Sequence, residues 1–97
     1  MNDDEFDWDD AKAAANLVKH KVSFETATRA FKDVFAVERD DDTEDYGEPR
    51  FSLLGMVDSK LMFVAYTMRG NIVRIISARG AEPHEQRLYH EENHDRF

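Results

Sequence analysis

Three arginines lie on or beside one predicted β-hairpin, and their side chains are well suited to bind an anion. Arg69, Arg74 and Arg79 belong to residues 61–79, whose sequence is LMFVAYTMRGNIVRIISAR. Arginine is rare in the core of a small protein unless it is paired or has a function. A guanidinium stays charged and can contact two oxygens of one anion. We therefore expect an anion site here, and the phosphate backbone of a nucleic acid is the commonest such anion.

The charge is distributed unevenly along the chain, whose net charge is −8. Residues 1–10 hold six acidic residues, and residues 38–48 hold seven. Residues 11–32 and 49–81 each carry five basic residues and one acidic residue, so each of these segments has a net charge of +4. The predicted helices and sheet are therefore basic, whereas the acidic residues lie in a tail and a predicted loop. Such a local cationic surface is compatible with nucleic-acid binding by an anionic protein.

Length and composition limit the classes of protein that the chain can form. Its 97 residues predict one domain over residues 1–97, with frayed ends at 1–5 and 93–97. The chain has no cysteine, which excludes disulfides, thiolate chemistry and a cysteine zinc site. No apolar run approaches the ~20 residues of a membrane span, and the acidic start is not typical of a signal peptide. We expect a cytoplasmic protein with no cofactor, no metal site and no membrane contact.

The hydrophobic pattern predicts an α+β fold with two N-terminal helices, a three- to four-stranded antiparallel sheet and a C-terminal helix. Asp9 and Ser23 are the predicted N-caps of the first two helices, and the first helix ends at His20. Pro83 is the predicted first residue of the last helix, which runs to about Glu92. The expected buried stripes of the first two helices are Trp8, Ala11, Ala15 and Val18, followed by Phe24, Ala27, Phe31 and Val34.

Turn signals separate the predicted strands at 35–38, 50–57, 61–68 and 72–79, with residues 38–48 as an acidic loop. Gly70-Asn71 predicts a two-residue hairpin turn. That register pairs Thr67 with Arg74 and Met62 with Arg79, which places the two arginines on opposite faces. A slip of one residue reverses such an assignment, so both arrangements stay open.

Several segments resemble those of a known family, in the same order. Phe6-Asp7-Trp8-Asp9, followed by Lys12, Asn16 and Lys19-His20, is similar to the pattern F-x-W-D-x-x-K-x-x-x-N-x-x-K-H. The further similar segments are Val22-Ser23-Phe24-Glu25, Glu48 with Arg50, Tyr66-Thr67-x-Arg69, Arg74-Ile75-Ile76-Ser77-Ala78-Arg79, and Glu85 with Tyr89. Together they resemble the BrnT family, the ribonuclease toxins of type II toxin–antitoxin pairs, whose fold is related to RelE.

The resemblance implies an endoribonuclease toxin that cleaves RNA without a metal and inhibits translation. It also implies a ribbon-helix-helix antitoxin similar to BrnA, through which alone the complex would contact DNA. An oligomer formed with that antitoxin stays open.

Metal-free RNA cleavage needs a base for the 2′-hydroxyl, an acid for the leaving 5′-oxygen and a cation for the phosphorane. The candidate catalytic residues are His20, Glu48, Tyr66, Arg74 and Arg79, and the candidate RNA-binding residues are Lys12, Lys19, Arg50 and Arg69.

Each candidate also has a structural alternative. His20 could cap the carbonyl groups at the end of its helix. Tyr66 could be a half-buried strand aromatic, and Arg74 and Arg79 could form salt bridges with Glu48 or Glu85. Two other functions stay open. One is a catalytically inactive partner and co-repressor of the antitoxin, and the other is a nucleic-acid mimic that binds basic proteins through its acidic segment.

Overall fold

The computed structural model describes residues 5–45 and 47–94, with the backbone alone at 42–45. The elements in chain order are β1 (Phe6–Asp7), α1 (Asp10–His20), α2 (Phe24–Ala30), β2 (Val37–Asp45), β3 (Glu48–Val57), β4 (Lys60–Arg69), β5 (Ile72–Gly80) and α3 (Pro83–Glu92). The strands form one sheet in the order β1-β5-β4-β3-β2. β1 runs parallel to β5, and the other neighbouring pairs are antiparallel.

The α+β class and the three helices are confirmed, whereas the predicted strand count is too low. The additional strand is β1, whose two residues are too few to show the alternation by which strands are recognised. Of the ends predicted to fray, residues 1–4 and 95–97 lie outside the described part of the chain. Asn93, in contrast, is buried, and its side-chain amide donates to the carbonyl oxygens of Phe35 and Tyr89.

The predicted helix caps are confirmed. The Asp9 carboxylate accepts from the backbone N–H groups of Ala11 at 2.8 Å and Lys12 at 3.1 Å. These two hydrogen bonds hold the pKa of Asp9 below its usual value. Lys21 ends α1 in the left-handed conformation, with φ of 61°. The Ser23 hydroxyl accepts from the backbone N–H of Thr26 at 3.0 Å and so begins α2.

The main core lies between α2 and one face of the sheet, which we call the core face. Phe24, Ala27 and Ala30 of α2 are fully buried there, together with Val64 and Ala78 of the sheet. Phe31 packs against this core, as predicted.

The predicted burial of Val34 is wrong, because this side chain is 82% exposed. α2 ends at Ala30, and the turns that follow it no longer continue the helical stripe.

α1 does not bury the apolar stripe that its spacing predicts. Ala11, Ala15 and Val18 are exposed, and only Trp8, which precedes the helix, is buried. The buried residue of α1 is Asn16. Its side-chain amide donates to the carbonyl oxygens of Val22 at 2.9 Å and Ala78 at 2.8 Å, and its oxygen accepts from the backbone N–H of Ala78 at 3.1 Å. α1 is therefore held against β5 by hydrogen bonds rather than by an apolar stripe.

A β-bulge in β5 decides which residues share a face. The Gly70-Asn71 turn and the Thr67–Arg74 pair are confirmed, but the register shifts beyond Tyr66, so that Ser77 rather than Ile76 faces Ala65. The predicted pairing of Met62 with Arg79 is therefore wrong, and Arg79 faces Phe63. Because the extra residue reverses the alternation, Arg74 and Arg79 lie on the same side of the sheet. We call this side the second face.

The predicted acidic loop over residues 38–48 is wrong for most of its length, since residues 37–45 form β2. β2 pairs with β3 from Val37 opposite Leu54 to Asp41 opposite Arg50. It is one of the two edge strands of the sheet, and charged residues on an edge strand discourage pairing with other chains.

α3 has the predicted bounds and lies over the end of the second face that carries Arg79. The Tyr89 hydroxyl donates to Asp33 at 2.6 Å, and Asp33 also accepts from the backbone N–H of Met56 at 2.8 Å. Burial alone raises the pKa of Asp33, but the hydrogen bonds from Tyr89, Met56 and Phe35 outweigh it and lower the pKa. Because α3 lies over the Arg79 end of the second face, the Arg74 end stays open.

Candidate active site

A concave, mainly basic site occupies the open end of the second face, and we call it the cationic cavity. Its volume is about 250 Å³, and its lining residues are Lys12, Glu48, Arg50, Thr67, Arg69, Arg74 and Ile76. The four basic side chains come from four different elements, namely β3, β4, β5 and α1. The cavity therefore forms only when the sheet and α1 have assembled.

A second cleft adjoins the cationic cavity along α1, and we call it the helix cleft. Its volume is about 230 Å³, and it shares Lys12 and Ile76 with the cationic cavity. Lys19 and His20 of α1 and Ser77 of β5 are among its other lining residues. The cationic cavity and the helix cleft thus carry seven of the nine predicted site residues on one continuous surface.

A row of cross-strand neighbours on the second face passes through the cationic cavity. Arg74 faces Thr67 on one side and Asp7 on the other, while Arg50 on β3 faces Asp41 on β2. Thr67 is 2% exposed, and its hydroxyl donates to the carbonyl oxygen of Pro49 at 2.6 Å. Thr67 therefore closes the cavity from below and ties β4 to the start of β3.

Arg69 and Glu48 form an exposed fork at the rim of the cavity. Nε of Arg69 donates to Oε2 of Glu48 at 3.1 Å, and Nη2 donates to Oε1 at 3.2 Å. Both side chains are about half exposed. An ion pair this exposed contributes only about 0–1 kcal/mol, so a phosphate group can replace Glu48 as the partner of Arg69 at little cost.

Arg74 is more enclosed than Arg69. Its Nη1 donates to Oδ2 of Asp7, and the two side chains are 24% and 27% exposed. Only this one Nη1 contact joins the two side chains, and a guanidinium has five N–H donors. Arg74 can therefore keep Asp7 as a partner and still donate to a phosphate in the cavity.

Arg79 does not reach the cationic cavity, although it shares the second face with Arg74. Its Nη1 and Nη2 donate to the two carboxylate oxygens of Glu85 at 2.8 and 2.9 Å, and its guanidinium lies 4.2 Å from the centroid of the Phe63 ring. Burial alone raises the pKa of Glu85, but hydrogen bonds from Arg79 and from the backbone N–H of Glu82 outweigh it and lower the pKa. This arrangement is the Arg79–Glu85 salt bridge that the sequence left open.

Tyr66 lies on the core face, away from the arginines. It is 4% exposed, and its hydroxyl donates to Oε2 of Glu38 at 2.6 Å. Burial, followed by this hydrogen bond, raises the pKa of Tyr66 far above its usual value. The phenol contacts a different groove, of about 600 Å³, with Phe51, Met68 and Asp40 among its lining residues.

One comparison with known proteins decides the family. A family model described as the ribonuclease toxin BrnT of type II toxin–antitoxin systems matches residues 8–85. The chain belongs to the BrnT family. This membership confirms the resemblance noted in the sequence, and it implies an RNA substrate and an antitoxin partner. A search of curated proteins finds no matching relative.

The BrnT match covers every residue that lines the cationic cavity and the helix cleft. Of the predicted site residues of this BrnT toxin, the structure brings together Lys12, Lys19, His20, Glu48, Arg50, Arg69 and Arg74. It does not bring Tyr66 or Arg79 to them. Within the described ranges, no helix is long and apolar enough to cross a membrane.

Asp7 and Thr67 were not among the predicted site residues, although both are cross-strand neighbours of Arg74. Thr67 was already expected opposite Arg74, but its burial and its bond to Pro49 follow only from the three-dimensional structure. Asp7 stands between two apolar residues, Phe6 and Trp8, but so short an alternation is too weak a signal to indicate a strand.

Proposed function

We propose that this BrnT toxin cleaves RNA in the cationic cavity without a metal ion, and that this cleavage inhibits translation. The observation that carries the proposal is the convergence of Lys12, Arg50, Arg69 and Arg74 on one concave surface of an otherwise acidic protein. Four cations around a cavity of this size suit one phosphate group and its neighbours along an RNA strand.

In the proposed reaction the 2′-oxygen of a ribose attacks the adjacent phosphorus, and the bond to the 5′-oxygen breaks. The products are a 2′,3′-cyclic phosphate and a 5′-hydroxyl. Arg74 and Arg50 stabilise the additional negative charge on the phosphorane oxygens. Glu48 in the cavity and His20 in the helix cleft carry out the two proton transfers. One accepts the proton of the 2′-hydroxyl, and the other donates a proton to the leaving 5′-oxygen.

Tyr66 and Arg79 take no part in the proposed chemistry. The Tyr66 hydroxyl donates a hydrogen bond to Glu38 on the core face, and the Arg79 guanidinium is bound to Glu85 of α3. Lys12, Lys19 and Arg69 bind the RNA backbone on either side of the reacting phosphate.

We further propose that a ribbon-helix-helix antitoxin restrains the toxin and supplies the DNA contacts of the complex. The family description supports an antitoxin partner, and the negative charge of the chain favours indirect contact with DNA. Co-expression with the cognate antitoxin is expected to restore growth and yield a complex that binds operator DNA, whereas the toxin alone does not.

End-group analysis of the cleaved RNA tests the mechanism. The purified protein is incubated with RNA in excess EDTA, and the expected products carry 2′,3′-cyclic phosphate and 5′-hydroxyl ends. Products with 3′-hydroxyl and 5′-phosphate ends, or activity that EDTA abolishes, would contradict metal-free attack by the 2′-hydroxyl.

A matched pair of arginine variants tests the location of the site. Arg74→Ala is expected to slow cleavage by about 10²–10³-fold, the usual effect of removing one donor to a developing oxyanion. Arg29→Ala is the control, because Arg29 forms an exposed ion pair with Asp58 outside the cavity. Equal rates for the two folded variants would contradict the proposed site.

Salt dependence provides a separate test of phosphate binding. The affinity for single-stranded RNA should fall as salt rises, with a log–log slope of about −0.7 for each phosphate contact. Arg69→Ala, which removes one proposed contact, should make this slope shallower by about one such step. A flat salt response would argue against phosphate contacts.

The second candidate function is a catalytically inactive partner and co-repressor of the antitoxin. The observation that favours it is that Arg69 and Arg74 are both paired with carboxylates in the free protein. It predicts normal growth and intact RNA when the folded chain is expressed alone in bacteria, together with antitoxin binding. The nucleic-acid-mimic hypothesis predicts an ordered acidic face, and the placement of Glu38, Asp40 and Asp41 on the β2 strand favours it. It also predicts tight binding to basic proteins in general.

A further inference from the structure

Asp7 is the only carboxylate in a described ion pair with Arg74, and it lies outside the set of residues that line the cationic cavity. We propose that Asp7 is a positioning residue, which holds the Arg74 guanidinium in the orientation that RNA cleavage needs. This inference rests on the proposed function, because it assigns a role to Asp7 only if Arg74 contacts the reacting phosphate.

The residues on either side of Asp7 anchor this segment of the chain and thereby fix the position of the Asp7 carboxylate. Phe6 is buried in the core, where its ring lies 5.3 Å from that of Phe31, and Trp8 is buried against Phe24. The backbone N–H of Val73 donates to the carbonyl oxygen of Glu5 at 2.9 Å, which joins β1 to β5. Alternation along β1 then turns Asp7 to the second face, directly beside Arg74.

The cross-strand pairing gives Arg74 a different neighbour on each side. Asp7 lies on the outer side of the sheet, while Thr67 lies on the inner side, toward the centre of the cationic cavity. A bond from Nη1 to Asp7 on the outer side limits rotation of the guanidinium. The remaining N–H groups are then available on the cavity side, where the proposed phosphate binds.

The other half of the row has a similar pattern, in which Arg50 faces Asp41 on the edge strand β2. Two arginines on inner strands thus each have an aspartate as the neighbour on the outer side, and Thr67 lies between them. The contact between Asp7 and Arg74 is a direct ion pair.

Single-turnover cleavage of one RNA transcript, measured at rising protein concentration, separates positioning from binding. In Asp7→Asn the maximal rate should fall by about tenfold or more, because a displaced catalytic group loses the benefit of orientation. The half-saturating protein concentration should not rise, since the variant has one less negative charge beside the RNA. Asp7→Glu, which keeps the charge, should recover part of the rate.

Asp58→Asn is the matched control, because it removes a carboxylate from the exposed ion pair with Arg29. Asparagine tolerates the positive φ of 49° at this position, so the control variant should fold and cleave RNA like the wild type. A purely structural role of Asp7 would lower activity only in proportion to the folded fraction, which the denaturation curve of each variant gives.

Nitrogen-15 NMR of the Arg74 guanidinium provides a readout that does not depend on catalysis. Hindered rotation should give two separate Nη signals in the wild type, and Asp7→Asn should merge them. An unchanged maximal rate in folded Asp7→Asn, or merged Nη signals in the wild type, would overturn the inference.

The failure of the proposed function has a different signature. If the wild type does not cleave RNA, or if Arg74→Ala cleaves it at the normal rate, the proposed function fails and Asp7 has no catalytic role. The NMR measurement would then still decide whether Asp7 holds Arg74 in place.

Discussion

The structural role assigned to Arg79 predicts that Arg79→Ala lowers the stability of the protein without slowing RNA cleavage by the folded fraction. Arg79 was one of the two arginines expected in catalysis from the sequence. In the structure its guanidinium is held by Glu85 and lies over the ring of Phe63, at the end of the second face that α3 covers. The variant therefore tests the division of that face into a structural end and an open end.

The expected loss follows from the contacts that the substitution removes. The guanidinium donates to both oxygens of Glu85, and the two side chains are 29% and 9% exposed. Truncation leaves a largely buried carboxylate without its cation, which costs up to about 3–5 kcal/mol when both partners are fully buried. Because Arg79 is partly exposed, we expect a loss of about 3 kcal/mol. With an m-value of about 1.5 kcal/mol per molar, the urea midpoint falls by about 2 M.

Urea denaturation of the wild type, Arg79→Ala and Arg39→Ala measures this loss against a matched control. Arg39 also pairs with a glutamate of α3, Glu92, at 2.8 Å, but both side chains are about half exposed. An ion pair of this kind contributes about 0–1 kcal/mol, so Arg39→Ala should shift the midpoint by much less. RNA cleavage is measured without urea at a temperature at which all three proteins are folded.

Two results would refute the reasoning. Equal losses of stability in Arg79→Ala and Arg39→Ala would show that burial does not set the strength of these pairs. Slower cleavage by fully folded Arg79→Ala would return Arg79 to the catalytic residues and contradict the geometry of the site.

Three further predictions concern the contacts that build the fold around the site. The lowered pKa of Glu85 means that its ion pair contributes stability above the unfolded pKa of about 4.3 and loses it as the pH falls through the lower folded pKa. Urea denaturation should therefore show a large difference between the wild type and Glu85→Gln at pH 7 and a much smaller one at pH 3, and a constant difference would contradict it. Asn16→Leu should cost about 2–4 kcal/mol, because three buried backbone groups lose their partner, while Val18→Asn, at a side chain that is 75% exposed, should change stability by less than about 0.5 kcal/mol. Gly55→Ala should lower stability by about 1–3 kcal/mol, because the new methyl group overlaps the carbonyl oxygen of Ala30. Gly80→Ala, with open space around it, should be nearly neutral when measured by the same urea denaturation.

Features that depend on neighbouring residues in the chain could be predicted from the sequence. The caps at Asp9 and Ser23, the Gly70-Asn71 turn and the bounds of α3 all follow from side chains within a few residues of the feature. Each signal has a local physical cause, such as a side-chain oxygen that accepts a backbone N–H or a glycine that adopts a positive φ.

Features that depend on distant partners could not be predicted in this way. The bulge in β5 leaves no local signal, yet it alone moves Arg79 to the same face as Arg74. The burial of Asn16 depends on the backbone of Ala78, 62 residues away, so the apolar spacing of α1 indicated the wrong face. The acidic strand β2 exists because β3 offers it a pairing edge, although its composition is typical of a loop.

The candidate site likewise combines features that could be predicted from the sequence with features that could not. The types of residue in the cationic cavity could be expected from the sequence, because arginine and lysine are the usual ligands of phosphate. Their assembly could not, since Lys12 comes from α1 while Arg50, Arg69 and Arg74 come from three different strands. Asp7 was missed because β1, with only two residues, is too short to be recognised as a strand.

The most direct test of the cationic cavity as the RNA site is NMR mapping of a bound substrate analogue. An oligonucleotide whose 2′-hydroxyl groups are replaced by hydrogen can bind but cannot react, so the protein spectrum reports binding alone. We expect the largest shifts at Arg50, Thr67 and Arg74, with weaker shifts along α1 at Lys19. Shifts centred instead on Phe51 and Met68, which line the groove beside Tyr66 on the core face, or no shifts at all, would contradict the proposed site.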